Sequence, residues 1–124
     1  MAQKLWIPHK LPGLNQMLKS KGSGKHAYNR EKRQIQQEIY WLCIEQGITW
    51  MEKAWFRFVW VEAKKNRDPD NIAAARKYIL DGLVEARRLA GDRWKNILGW
   101  QDEFKVNKEA PGVEVYLYEE KPYG

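Results

Sequence analysis

Cysteine is nearly absent from this chain. Cys43 stands alone among 124 residues, so no internal disulfide can form, which suits a reducing compartment. Long apolar runs are missing too, and nothing approaches the roughly 18 residues of a membrane span. The opening stretch, MAQKLWIPHKLPG, has no uninterrupted apolar core, so no signal peptide is expected and the reading is cytoplasmic. Histidine is scarce: His9 and His26 are not spaced as a metal pair and are read as surface residues. Acid is almost missing from the first third. Lys4, Lys10, Lys19, Lys21, Lys25, Arg30, Lys32 and Arg33 face Glu31 alone, giving residues 1–33 a net charge of +7 and leaving −1 for the rest.

That asymmetry is the one expected of a polyanion binder; a solvated basic tail has the same composition. Trp6 and Tyr28 within the segment argue against pure disorder. The stretch Lys19–Lys25 (KSKGSGK) reads as a flexible basic loop, near 19–27, lacking the spacing of a P-loop. With 44% hydrophobic residues and seven tryptophans, residues 1–124 suffice for one modest domain with a bulky core or an aromatic contact surface.

Periodicity gives the elements. Lys4–Pro8 is a short strand candidate, followed by a turn at Pro12-Gly13. From about Asn29 to Gln46, Ile35, Ile39, Leu42 and Cys43 recur at helical spacing, which places Cys43 in the core. Residues 53–64 read as a strand with Trp55, Arg57, Val59 and Val61 on one face and Phe56, Phe58, Trp60 and Glu62 on the other. Both faces are largely apolar, so a central strand covered on both sides is expected. A second helix starts near Asp70, with Gly91 as a stop signal. Phe104–Asn107 and Val113–Tyr118 are two further strand candidates around a turn at Pro111-Gly112. The expected fold is α+β, a small mixed sheet packed with two main helices in the order β-α-β-α-β-β.

The chemistry concentrates in Asn66–Leu83, NRDPDNIAAARKYILDGL. Pro69 pushes Asp68 into an extended conformation, and in an extended segment residues i and i+2 project to one side. Asp68 and Asp70 are thereby candidates for a pair of divalent-metal ligands, placed where a sheet opens to a ligand. On the following helix Ile72, Ala75, Ile79, Leu83 and Ala86 share a narrow arc at ~100° per residue, with Asp70, Ala74, Lys77 and Asp81 opposite. An ordinary helix start would use the same residues: Asp68 as N-cap, Pro69 in the first turn, Asp70 at the positive end of the dipole.

These residues resemble the RusA-type Holliday junction resolvases of bacteria and their phages, whose motif is Asp-x-Asp-Asn, a lysine four residues before a helical Asp-x-Leu, and an aspartate eleven residues after that helical acid. Here they are Asp68-Pro69-Asp70-Asn71, Lys77, Asp81-Gly82-Leu83 and Asp92. Pro12-Gly13-Leu14-Asn15 is similar to the family's N-terminal Pro-x-x-Asn. The similarity covers roughly residues 5–120 in order of elements. Two departures stand: three extra residues separate Asn71 from Lys77, and the third acid follows Gly91 rather than another acid, which leaves Asp102 a rival for its role.

The resemblance implies a homodimeric endodeoxyribonuclease that nicks four-way junctions symmetrically in recombination and repair. It implies catalytic roles for Asp68, Asp70, Lys77 and Asp92, and Mg²⁺, with Mn²⁺ as a substitute, on the three aspartates. Branched DNA is then the partner, with no small-molecule substrate. Phosphate contacts are expected from Lys19, Lys21, Lys25, Arg30, Arg33, Lys64, Lys65 and Arg67. A non-catalytic nucleic-acid-binding protein and a nuclease for other branched DNA remain as alternatives. A straight helix from Asp70 to Gly91 would hold its ends about 30 Å apart, so either it breaks, for instance at Gly82, or Asp92 acts across the dimer.

Overall fold

The strongest strand signal becomes the centre of the sheet. In the computed structural model, which describes residues 2–122, β2 (Ala54–Glu62) lies between two partners, β3 (Ile97–Val106) running parallel and β4 (Gly112–Tyr118) antiparallel. The N-terminal strand β1 (Ala2–Ile7) pairs antiparallel with the far side of β4, giving the order β1-β4-β2-β3. The fold is α+β with a mixed four-stranded sheet.

Helices cover one face of the sheet. Along β2 the rings of Phe56, Phe58 and Trp60 stack in a row, each 5.6 Å from the next. With Leu5, Ile7, Val113, Val115 and Leu117 they form the sheet's share of the core. Against them lie α2 (Lys25–Glu45) and α4 (Arg76–Glu85), which bury Ile35, Ile39 and Cys43 from the first helix and Tyr78, Ile79 and Leu83 from the second. The two helices meet at Gly82, where a methyl group would fall 2.8 Å from the Ile39 side chain. On the opposite sheet face Trp55, Val59 and Val61 are buried too, outside the core cluster that the helices join. There Tyr118 packs edge-on against Trp55 at 5.8 Å, and Arg57 lies over the Tyr116 ring at 4.3 Å. At Trp55 the second cover expected over β2 is therefore made by a side chain of the sheet itself.

Three expectations need correction. Residues 19–27 are not a flexible loop. They belong to a helix α1 (Leu14–Gly22), the two-residue joint Ser23-Gly24 and the start of α2, four residues earlier than expected. The joint works because Gly24 adopts φ +119°, a region that L side chains avoid, and the Ser23 and Gly24 N–H groups close α1 onto the Lys19 and Lys21 carbonyls.

The helix expected from Asp70 to Gly91 is two pieces, α3 (Pro69–Ala73) and α4, divided at Ala74-Ala75. There the Ala75 and Lys77 N–H groups bond three residues back, to Ile72 and Ala74, tightening the turn. The break is not at Gly82, which is buried inside α4. Even so Ile72, Ala75, Ile79, Leu83 and Ala86 are all buried, as the periodicity predicts. After Glu85 the chain reverses through Arg87, at φ 56°, and Leu89 bridges to Met51. Third, β3 begins seven residues before the expected Phe104, in a segment whose mixed polarity reflects its edge position. No helix among the described residues is long and apolar enough to cross a membrane.

Candidate nucleic-acid site

The segment leaving β2 is pinned before it reaches the aspartates. Glu62, buried at the strand's end, accepts both Arg67 Nε–H and Nη2–H, at 2.9 and 2.8 Å. Arg67 Nη1–H donates to the Leu11 carbonyl at 3.1 Å. A buried carboxylate paired face-on with guanidinium satisfies both charges. Arg67 is thus a clamp between β2 and the β1–α1 link, with three donors engaged inside the protein.

That clamp seats the two motifs against each other. Asn71 Oδ1 accepts the Asn15 backbone N–H at 2.9 Å, so it serves as a cap for α1 supplied from α3. Gly13 lies between them: a methyl group there would be 2.6 Å from Asn71 Oδ1 and 2.9 Å from Arg67 Nη1. Glycine at this position is a matter of space, since its φ of −87° is open to any residue.

Asp68 and Asp70 are consequently presented to solvent from a fixed backbone. Asp68 is extended (φ −71°, ψ 150°) and occupies the N-cap position of α3, yet its side chain makes no cap hydrogen bond. Asp70 is already helical, in the first turn behind Pro69, so the period-two argument for the pair fails at the proline. Asp70 Oδ1 accepts the Asn71 N–H at 2.9 Å. Neither aspartate enters the ion pairs formed among the described residues.

Lys77 and Asp92 come together in a cleft of roughly 850 Å³ between α4 and the start of β3, shared with Asp81, Arg76, Trp94 and Trp100. Three members of the predicted polar stripe line it, Ala74 at the α3–α4 joint and Lys77 and Asp81 on α4, whereas the fourth, Asp70, does not. Asp81 is largely buried and its Oδ2 sits 3.4 Å from Lys77 Nζ and 3.6 Å from Lys32 Nζ, without a hydrogen bond. Asp68 and Asp70 do not line this cleft. Among the described residues, no three carboxylate, imidazole or thiol groups gather as a metal cluster.

Asp102 is occupied. Its Oδ1 accepts Trp60 Nε1–H at 2.9 Å and its Oδ2 is bound to Arg76 Nη2. Arg76 in turn lies 4.4 Å over Trp100 and 5.6 Å over Phe58. This network was not visible from the residues, because its members are 26 and 42 positions apart and nothing in local spacing links them. Asp92, by contrast, is exposed at the cleft.

Among the basic candidates, Lys19 and Lys21 lie in the last turn of α1 and Lys25 opens α2. These three, with Arg30, Arg33, Lys64 and Lys65, are exposed. Lys21 Nζ rests 4.8 Å over the Tyr28 ring. His9 is engaged with Glu38 at 2.6 Å and with the Lys10 carbonyl at 3.0 Å. Desolvation works against its charged form, but these bonds outweigh it and raise the imidazole pKa. Burial pushes the Cys43 thiol up to about 11, so it is an inert core residue. Compared with known proteins, the chain matches no family model and no curated protein.

Proposed function

We propose that this protein is a divalent-metal-dependent endodeoxyribonuclease of the RusA type, resolving four-way junctions by paired nicks as a homodimer. The observation that carries the reading is Asp68. It stands in N-cap position with cap backbone geometry and leaves the cap bond unmade. The motif's helix-start explanation therefore loses its main contact, while the Gly13–Asn71–Arg67 lock holds the backbone beneath it. Exposed carboxylates on a rigid support, flanked by Lys64 and Lys65, suit phosphate chemistry better than stability.

The donor set fits Mg²⁺, a hard cation that takes one or two carboxylates and keeps several waters. Asp68 and Asp70 would hold it; Asp92, which lines a separate cleft in its own subunit, would join them from the partner subunit of the proposed dimer, since both Asp102 oxygens are already bonded. When bound, the ion supplies a more acidic water and positive charge for the scissile phosphate. Lys77, exposed beside Asp81, would pair with a phosphate oxygen and offset charge that grows in the transition state. Lys19, Lys21, Lys25, Arg30 and Arg33 would track the duplex arms. The deciding experiment is cleavage of a panel of four-way, three-way and flapped DNAs with Mg²⁺ or Mn²⁺. Paired nicks in the four-way substrate support the reading; binding with no cleavage under either metal returns the protein to a non-catalytic role.

A further inference from the structure

The cleft between α4 and β3 carries aromatic surface that phosphate chemistry does not use. Trp94 is 99% exposed, although an indole is among the most stabilising side chains to bury. It is not on a loose loop. The Asn96 and Ile97 N–H groups bond to the Arg93 carbonyl at 2.9 and 3.0 Å. The buried Asn96 side chain accepts the Arg93 N–H at 3.3 Å and donates to the Glu52 carbonyl at 2.9 Å. The backbone of the turn is therefore fixed, and the indole stands at its tip. Arg93 and Lys95 flank it and enter none of the described ion pairs. Across the cleft Trp100, held beneath the Arg76 guanidinium at 4.4 Å, is 46% exposed.

A ligand for this cleft needs a flat apolar plane for the indoles and an anion for the unpaired bases beside them. A nucleotide whose base has left its stack has both. In continuous duplex the base faces are hidden, whereas at a branch or in a single strand they are accessible. The volume of roughly 850 Å³ is ample for one such unit.

We infer that the cleft between α4 and β3 is a site for an unpaired nucleobase, with Trp94 as its stacking platform and Arg93 and Lys95 on the adjoining phosphates. The inference rests on the nucleic-acid reading above and sharpens its substrate class to DNA with accessible bases. Base–aromatic stacking tolerates every base, because each has a π face, so the site adds preference for structure rather than sequence.

The test compares two probes by fluorescence polarisation in EDTA, where cleavage plays no part. One is a labelled oligothymidylate of about twelve nucleotides, and the other is an abasic strand of the same length and phosphate count. The wild-type protein should bind the first roughly tenfold more tightly than the second. Trp94→Ala should bind both alike, and Trp94→Phe should keep most of the difference. Equal binding of the two strands by wild type, or an undiminished preference in Trp94→Ala, overturns the inference. A preference undiminished in Trp94→Ala, with sedimentation shifted toward monomer, overturns it in favour of a contact with a second copy. Junction cleavage with Mg²⁺, measured in parallel, keeps the two readings apart. Cleavage without base preference sinks the cleft alone; base preference without cleavage supports the cleft and sinks the nuclease.

Discussion

Asn71 caps a helix that is not its own: its Oδ1 accepts the N–H of Asn15, 56 residues away, at 2.9 Å. The two motifs that stand apart in sequence are one structural unit, and Gly13 is the spacer that lets them touch. Gly13→Ala should cost about 1–3 kcal/mol, the range for overpacking a closed contact, read as a lowered urea midpoint. Asn71→Ala should cost about 1 kcal/mol through removal of the cap, while Asn71→Asp, which keeps the acceptor, should cost less. Equal stability of wild type and Gly13→Ala would mean that the contact relaxes freely.

The acids should separate by role. Asp70→Asn and Asp92→Asn are each expected to abolish Mg²⁺-dependent cleavage with little change in Tm, because neither side chain anchors the core. Asp70→Asn should bind junctions as well as wild type or better, having shed a negative charge near phosphate. Asp102→Asn should do the reverse. It weakens the charged bond to the partly buried Arg76 and should lower stability by about 1–3 kcal/mol while cleavage survives. Thermal melts beside single-turnover assays check both halves. A dead but fully stable Asp102→Asn protein would reassign the third acid.

The basic joint between α1 and α2 should act through charge alone. Replacing Lys19, Lys21 and Lys25 with alanine is expected to weaken binding regardless of DNA sequence. The slope of log affinity against log salt should flatten by about 0.9 for each phosphate on the duplex arms that is no longer neutralised. An unchanged slope would show that these lysines face away from the DNA.

His9 ties the end of β1 to α2 through Glu38, and its folded pKa lies above the ordinary 6.5. For a raised imidazole the added stability is complete below the unfolded pKa and disappears as pH rises through the folded one. Urea midpoints should therefore fall by more in wild type than in His9→Gln as pH rises from below 6.5 through the raised imidazole pKa. Because the pair is half exposed, the difference should be small. Parallel pH profiles for the two proteins would remove His9 from the account.

Elements whose residues face an apolar surface were legible in the sequence. Ile35, Ile39 and Cys43 mark the buried side of α2, and the alternation from Trp55 to Val61 gives both faces of β2. The break at Ala74-Ala75 was not legible, since alanine is the best helix former and only the tight turn itself departs from α geometry. Glycines misled in the other direction, suggesting a loose segment where Gly24 alone makes the bend. At the candidate site the spacing of Asp68 and Asp70 marked the helix start but not their relative direction, since Asp70 is already helical, and the commitments of Arg67, Arg76 and Asp102 could not be read. Apart from the Arg67–Glu62 pair, five residues apart, those contacts are fixed by tertiary approach between distant segments.

The solitary Cys43 also makes the molecule a convenient reporter of its own opening. With its thiol at 0% exposure and resistant to ionisation, the folded protein should show no reactivity toward a disulfide reagent. Modification must wait until α2 lifts from the sheet, so the labelling rate counts those excursions directly. A cysteine engineered onto the surface can accordingly carry a dye without competition, and adding DNA should slow the residual reaction at Cys43 if binding clamps the basic helix in place.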